Sequence, residues 1–224
     1  MSSIATRSST QAGDGDPEVV GERFADAVAY ATRVHQGQSR RGAPYIAHLL
    51  RVAGLVLEDG GSEDEAIAAL LHDAAEDQGG RPRLTDIRGR YGDEVAAIVD
   101  SCTDSYEQPA PPWRVRKERY LKHLPDSSPG ALLVSLADKV DNVRAILGES
   151  GNGQTAVDRA DACWYYTSLA RLFGQLRPGA RADELAAMAD ELRRRSRRGR
   201  QSSQAPRSAV GQSSMPSASR RSNA

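Results

Sequence analysis

Hydrophobic residues recur at helical spacing along most of this chain. Val20, Phe24, Val28 and Ala31 fall on one face of a helix that the pattern predicts over about residues 17–35. The same spacing, interrupted by glycine, proline and capping residues, predicts further helices over residues 45–57, 62–77, 85–92, 93–102, 113–124, 131–147, 156–176 and 181–195. No run of β-branched residues is long enough for a strand. The sequence therefore predicts an all-α fold.

Both ends of the chain lack this pattern. Residues 1–16 are rich in Ser, Ala and Gly without apolar periodicity, and residues 196–224 consist mainly of Ser, Arg, Gln, Pro and Ala. Such segments cannot bury enough apolar surface to offset the entropy of ordering. We therefore expect a disordered tail over residues 1–16, one helical domain over residues 17–195, and a disordered tail over residues 196–224.

Charge and cysteine content narrow the function classes. Thirty basic and thirty acidic residues cancel, which argues against a nucleic-acid binder as a whole. Six arginines between Arg193 and Arg200 make one segment basic. We favour a solvated tail for this segment, and non-specific contact with nucleic acid or acidic lipid is the alternative. Cys102 and Cys163 have no neighbouring cysteine and are expected to be reduced. No apolar stretch approaches the roughly 20 residues of a membrane span, so we expect a cytoplasmic protein without a membrane partner.

The dipeptide His72-Asp73 is the first candidate for chemistry. It follows the apolar stretch 66–71, and a buried imidazole and carboxylate both need partners. His48 and Asp138 come from two other predicted helices, which can face the dipeptide across a bundle. A mixed set of imidazole and carboxylate donors suits Mn²⁺, Fe²⁺ or Zn²⁺ and leaves positions open for water and substrate. These four residues predict a catalytic metal site.

Two carboxylates, Glu76 and Asp77, lie one helical turn beyond His72 and Asp73. Acidic residues near the end of a helix oppose its dipole, which weakens a purely structural explanation, although a solvated helix end remains the alternative. The functional interpretation is that they orient or deprotonate an attacking water. Basic side chains that could bind phosphate oxygens are Arg40, Arg41, Arg116, Lys117 and Lys139. Together these features point to hydrolysis of a phosphoester or pyrophosphate.

Ordered motifs carry a resemblance to a known family. They are Ala-Thr-Arg-Val-His-Gln-Gly-Gln at 31–38, Pro-Tyr-Ile-Ala-His at 44–48, Ala-Ala-Leu-Leu-His-Asp at 68–73 followed by Glu76-Asp77, Ser-Ser-Pro-Gly at 127–130, and Leu-Ala-Asp-Lys-Val-Asp-Asn at 136–142. In this order they resemble the HD-domain metal-dependent phosphohydrolases, and within them the small (p)ppGpp (alarmone) hydrolases and the hydrolase domain of bifunctional alarmone synthetase/hydrolases.

The resemblance implies an HD-domain helical bundle and a role for each site residue. His48, His72, Asp73 and Asp138 would bind one cation, usually Mn²⁺, and Glu76 and Asp77 would position the attacking water. Arg40 and Arg41, Arg116 and Lys117, and Asn142 match positions that bind the nucleotide's phosphates or ribose, and Lys139 joins them as a basic candidate. The base would stack on an aromatic ring of the helix 156–176, with Tyr165 the chosen candidate beside Trp164 and Tyr166.

We therefore expect a phosphohydrolase with a small nucleotide as substrate, removing the 3′-pyrophosphate of guanosine tetra- or pentaphosphate to give GDP or GTP. Two alternatives stay open. One is an HD phosphohydrolase for another nucleotide, such as an NADPH phosphatase or a nucleoside monophosphatase. The other is an HD module that senses a nucleotide without cleaving it. A divalent cation other than Mn²⁺ is also compatible with the donor set.

Overall fold

Most helices form where the apolar spacing predicted them, although the helix predicted over 85–92 begins at Gly80. A computed structural model describes residues 20–107, 109–148 and 159–204. In these residues the helices are α1 (Glu22–Val34), α2 (Ile46–Glu58), α3 (Glu63–Leu71), α4 (Ala74–Asp77), α5 (Gly80–Tyr91), α6 (Asp93–Cys102), α7 (Trp113–His123), α8 (Pro129–Gly148), α9 (Arg159–Leu176) and α10 (Ala180–Gln204), with one 3₁₀ turn at Leu124–Asp126. The predicted all-α class is confirmed.

The bundle is organised around α8. Every residue of α8 from Gly130 to Asp141 is buried, as expected of a helix surrounded by others. Helices α2, α3, α6, α9 and α10 pack against it. The neighbouring α3 is buried from Ala66 to Leu71. These two buried helices therefore position the predicted metal ligands: α8 carries Asp138, and His72-Asp73 directly follows α3.

A short hairpin lies between α1 and α2, where the sequence predicted only a loop. Strands β1 (Ser39–Arg40) and β2 (Ala43–Pro44) pair antiparallel. Arg41 and Gly42 form the turn with φ values of 53° and 78°, and positive φ at both central residues matches the twist of a two-residue hairpin. Two-residue strands leave no alternating pattern, which is why the sequence did not predict them.

The predicted helix over residues 62–77 begins as expected. A capping box starts α3, because the Ser62 hydroxyl accepts from the Glu65 N–H at 3.3 Å and the Glu65 carboxylate accepts from the Ser62 N–H at 2.8 Å. The continuous helix was wrong at its centre, since α3 ends at Leu71 and α4 begins at Ala74. His72 Nδ1 donates to the Ala69 carbonyl at 2.8 Å, and a side chain that takes a helix carbonyl competes with the backbone ladder.

The last helix extends beyond the predicted end of the domain. Helix α10 continues to Gln204, past the boundary expected at residue 195, because residues 196–204 contain no proline and several helix-favouring arginines and glutamines. The predicted tail 1–16 and residues 205–224 of the other predicted tail lie outside the described residues. Both cysteines are free, as expected. In the described part of the chain, no helix combines the length and apolar character needed to cross a membrane.

Candidate active site

Three separate elements bring the four predicted metal ligands together. Helix α2 carries His48, the turn between α3 and α4 carries His72 and Asp73, and α8 carries Asp138. Asp138 Oδ1 lies 3.4 Å from His48 Nε2 and 3.5 Å from His72 Nε2. Asp73 Oδ2 lies 3.6 Å from His48 Nε2 and 3.2 Å from His72 Nε2. One donor atom each of His48, His72 and Asp138 therefore lies within 4.8 Å of the other two, and Asp73 Oδ2 faces both imidazole rings.

Hydrogen bonds fix the direction of both imidazole rings. His48 Nδ1 lies 2.7 Å from Asp141 Oδ2, and His72 Nδ1 lies 2.8 Å from the Ala69 carbonyl oxygen. A carboxylate and a carbonyl can only accept, so both Nδ1 atoms donate. The Nε2 atom of each ring is left to face the other donors. Both rings are buried, with His48 only 1% exposed.

The donor set fits a divalent cation. Among the described residues, neither His48 Nε2 nor His72 Nε2 has a hydrogen-bond partner, and leaving such buried atoms unpaired is costly. Donors about 2.1 Å from one cation lie roughly 3.0 Å apart at a right angle and roughly 3.4 Å apart at the tetrahedral angle. The observed separations of 3.2–3.6 Å are close to these values. Two imidazoles and two carboxylates are also ligands that Mn²⁺, Fe²⁺ and Zn²⁺ accept.

Charges around these ligands favour positive charge at their centre. Burial alone would lower the pKa of His48, but the carboxylates of Asp138, Asp141 and Asp73 outweigh it and raise that pKa to about 9. Burial also opposes a charged His72, yet Asp73 and Asp138 raise its pKa well above the ordinary value. A cation at the centre would take the place of these protons, because ligand nitrogens must be unprotonated.

The two carboxylate ligands have outer partners of their own. Tyr45 donates its hydroxyl hydrogen to Asp73 Oδ2. The buried Lys139 ammonium lies 2.6 Å from Asp138 Oδ2, and Asn142 Nδ2 donates to Asp138 Oδ1 at 2.7 Å. Burial would raise the pKa of the Asp138 carboxyl, but Lys139 and the two histidines hold it well below the usual range. These contacts keep the carboxylate of Asp138 ionised and oriented.

A cavity of about 220 Å³ opens beside the ligands. Both predicted water-positioning carboxylates, Glu76 and Asp77, line it. Its remaining polar lining comes from Arg40, Tyr45, Asp73, Asp104, Lys117, Asp138, Lys139 and Asn142, with the Cys102 thiol. The cavity therefore combines carboxylates, cationic side chains and the candidate metal ligands, which is the combination that phosphate chemistry needs.

Glu76 and Asp77 are held in different ways. Glu76 Oε1 lies 3.0 Å from Arg116 Nη1, and Glu76 Oε2 accepts from the Asp104 N–H at 2.9 Å. Asp77 Oδ2 accepts from the Gln38 amide at 2.7 Å. Burial raises the pKa values of both carboxyls, and the Asp104 charge adds to the effect on Glu76. Raised pKa values make both groups stronger proton acceptors than ordinary carboxylates.

The other residues predicted to bind the substrate do not all line the cavity. Arg40 lines it and donates to Asn142, whereas Arg41 donates to the Ala145 carbonyl at 2.7 Å and does not line it. Arg116 reaches the site through its ion pair with Glu76. Tyr165 is 2% exposed and packs its ring edge-on against that of Trp113. Tyr165 is not among the residues that line the cavity.

Three side chains of the site were not predicted from the sequence. Tyr45 bonds to Asp73, Asp104 contacts both Lys117 and Arg116, and Asp141 bonds to His48. A signal existed for Asp141, since it lies three residues after Asp138 and therefore on the same side of α8. Asp104 follows α6 in a segment without regular structure, where spacing gives no indication of direction.

The chain is similar in sequence to known proteins. Residues 27–174 match the family model described as HD domain. The chain belongs to the HD-domain family. This HD domain is 37% identical over 124 residues to the human guanosine-3′,5′-bis(diphosphate) 3′-pyrophosphohydrolase MESH1, an alignment that covers 53% of the chain and 66% of the human protein. The Aquifex aeolicus guanosine-3′,5′-bis(diphosphate) 3′-pyrophosphohydrolase is 32% identical over 126 residues, 56% of this chain and 18% of that protein.

A solved structure supports the same fold for this HD domain. The structure is described as a metazoan ortholog of SpoT that hydrolyses ppGpp, and it superposes with a TM-score of 0.64 at 24% identity. The superposition covers 86% of this chain and 98% of that one. The human relative is matched over about two thirds of its length and the bacterial one over less than a fifth. The common part is therefore the helical HD domain.

Proposed function

We propose that this HD domain is a divalent-cation-dependent phosphohydrolase that removes the 3′-pyrophosphate of guanosine tetra- or pentaphosphate. One observation carries the proposal: the Nε2 atoms of two buried histidines, which have no partner among the described residues, converge with the Asp138 carboxylate, and Asp73 faces both rings beside a cavity lined by cationic side chains. The choice of substrate is supported by the relatives, which are named 3′-pyrophosphohydrolases of guanosine bis(diphosphate).

His48, His72, Asp73 and Asp138 would hold the cation, and Mn²⁺ is our candidate. When bound, such a cation withdraws charge from phosphate oxygens and makes a nearby water more acidic. The two histidines supply neutral donors, since each Nδ1 keeps its proton on a neighbouring acceptor. The two carboxylates would offset the charge of the cation, so the attraction for an anionic substrate would come largely from the cationic side chains that line the cavity.

Glu76 and Asp77 would orient the attacking water and accept its proton. Both line the cavity, and both have pKa values raised by burial. The water oxygen would form a bond to the phosphorus attached at the ribose 3′ position. The bond between that phosphorus and the 3′ oxygen breaks, and the 3′ oxygen takes up a proton. The products are pyrophosphate and GDP or GTP.

Cationic and amide side chains of the cavity wall would bind the substrate's phosphates and ribose. Arg40, Lys117, Lys139 and Asn142 line the cavity, and Arg116 lies behind Glu76. Lys117 and Lys139 are each paired with a protein carboxylate, Asp104 and Asp138. Phosphate oxygens can share these ammonium groups without leaving a buried charge unpaired. Arg41 stays a candidate only for a contact outside the cavity.

The decisive experiment incubates the purified protein with Mn²⁺ and ppGpp and separates the products by anion-exchange chromatography. The Asp73→Ala variant, which lacks one ligand, is the control. We expect GDP and pyrophosphate from the wild-type protein and none from the variant. NADPH and nucleoside monophosphates, tested in parallel, address the alternative substrates, since their hydrolysis releases orthophosphate. Binding of ppGpp without any product would instead support a sensing module and contradict the proposal.

A further inference from the structure

We propose that Asp141 is a positioning residue of the cation site and acts through the imidazole ring of His48. Asp141 accepts the Nδ1–H of His48 at 2.7 Å, and its side chain is only 3% exposed. It lies three residues after Asp138 on α8, so one helical turn carries a ligand and the group that orients a second ligand. The inference rests on the proposed function only through the cation site.

The chemistry of the acceptor gives the contact its effect. A carboxylate accepts but does not donate, so it fixes the proton of the His48 ring on Nδ1 and leaves the Nε2 lone pair directed at the other donors. Its negative charge also makes the imidazole a stronger donor to a cation. His72 has only the neutral Ala69 carbonyl in the same role. The two histidines are therefore unequal ligands, with His48 the stronger.

Arg51 completes the arrangement from the α2 side. Its Nε and Nη2 atoms lie 2.6 and 3.2 Å from the two oxygens of Asp141. His48 and Arg51 are three residues apart on α2, so one turn of that helix presents both groups to the same carboxylate. Arg51 itself is half exposed. It orients the carboxylate and limits its rotation, while leaving the hydrogen bond to His48 intact.

A simpler explanation is that Asp141 only ties α2 to α8. The chain offers a matched control for it, because Asp59 at the end of α2 makes two 2.9 Å contacts with Arg181 of α10. This second aspartate–arginine pair also joins α2 to another helix, and it contacts none of the candidate ligands. A structural role predicts similar losses of stability for both pairs and no specific loss of cation binding at either.

The test measures Mn²⁺ binding by isothermal titration calorimetry in the full chain. Asp141→Asn keeps the volume and one acceptor oxygen but removes the charge, and Asp141→Ala removes both. We expect affinity to fall about 10-fold in the first and towards about 100-fold in the second. Arg51→Gln should stay within about fivefold of the wild type, since partly exposed ion pairs contribute little. Asp59→Asn should bind Mn²⁺ as the wild type does.

A second readout follows the His48 ring directly. The chain has four histidines, so long-range ¹H–¹⁵N spectra of the Zn²⁺-loaded protein are simple enough to assign with a His48 variant. We expect a slowly exchanging proton on His48 Nδ1 in the wild type and its loss in Asp141→Ala. Equal Mn²⁺ affinity in the wild type and Asp141→Ala would overturn the role of Asp141 but not the cation site. A loss of affinity in Asp59→Asn equal to that in Asp141→Ala would do the same. A wild-type protein that binds no Mn²⁺ would overturn the cation site as well.

Discussion

Glu76 occupies the wall of the cavity with both of its oxygens engaged. Arg116 contacts one oxygen, and the Asp104 N–H donates to the other. Burial and the Asp104 and Asp73 carboxylates raise the Glu76 pKa, while the Asp104 N–H and Lys117 act in the opposite direction. The balance is a raised pKa. Arg116 orients the carboxylate without making it a weak base.

This environment predicts an acid limit to the rate. A base acts in its unprotonated form, so kcat/KM should fall as pH decreases through the raised pKa of Glu76, above the value of about 4.3 for an ordinary glutamate. The pH–rate profile should be measured at saturating Mn²⁺, so that loss of cation from protonated histidines does not contribute. Asp104→Asn removes a neighbouring negative charge and should move the acid limit to lower pH.

The Glu76→Gln substitution tests the same role, because it removes the negative charge of the side chain. The variant should bind Mn²⁺ normally, because Glu76 is not among the proposed ligands, and should lose about 10²–10⁴-fold in kcat. Calorimetry with Mn²⁺ and steady-state kinetics with ppGpp provide the two readouts. Full activity in this variant would exclude a proton-accepting role for Glu76.

Single residues of the site were predictable to different degrees. His48, His72, Asp73 and Asp138 could be chosen because imidazole and carboxylate groups in apolar helices need partners. The ring that would stack on a base could not be chosen from the three consecutive aromatic residues 164–166, because small rotations of a helix decide which ring faces the core. The directions of Tyr45 and Asp104 depend on how α2 and the segment after α6 pack, which spacing does not encode.

The junction between α2 and α3 is the tightest turn near the site. A methyl group at Gly61 would lie 2.5 Å from Val56 Cγ1, 2.8 Å from the Val56 carbonyl oxygen and 3.0 Å from Leu133 Cδ2. The Gly61 N–H also donates to the Val56 carbonyl at 2.9 Å. The absence of a side chain lets α3 start directly against Val56 of α2 and Leu133 of α8.

Two glycine substitutions test this junction. Gly61→Ala should lower the free energy of unfolding by about 1–3 kcal/mol, because backbone and core atoms must move to admit the methyl group. Gly54→Ala in the interior of α2, where the added carbon meets no described atom within 4 Å apart from its chain neighbours and the backbone of its own helix, should raise it by about 0.5–1 kcal/mol. Urea denaturation of both variants measures the difference, and equal effects would show that Gly61 is not a packing constraint.

The positions of the helices were predicted better than the break between α3 and α4 and the short hairpin. Apolar spacing placed α2, α6, α8 and α9 within a few residues of their observed bounds, and the capping box placed the start of α3. The break at His72-Asp73 was missed because it results from a side chain bonding to the Ala69 carbonyl, which residue propensities do not include. The hairpin at residues 39–44 was missed because its strands are too short to show a period.

At the scale of the whole molecule, the proposed cation site would join three parts of the bundle. A ligand that binds only the folded state stabilises it by mass action. Mn²⁺ at 100 times its Kd should add about 2.7 kcal/mol to the free energy of unfolding. For a chain of this size that corresponds to a rise in Tm of roughly 5–11 °C. Differential scanning calorimetry with Mn²⁺ and with EDTA measures the shift, which Asp73→Ala should abolish.

The order of the donors along the chain also governs when the site can exist during synthesis. His48, His72 and Asp73 leave the ribosome early, but Asp138 lies on α8 and follows much later. Domains generally complete folding as units once their sequence has emerged. A nascent chain therefore lacks a complete cation centre until α8 is available. Under the proposed function, an unfinished chain would not hydrolyse the nucleotide.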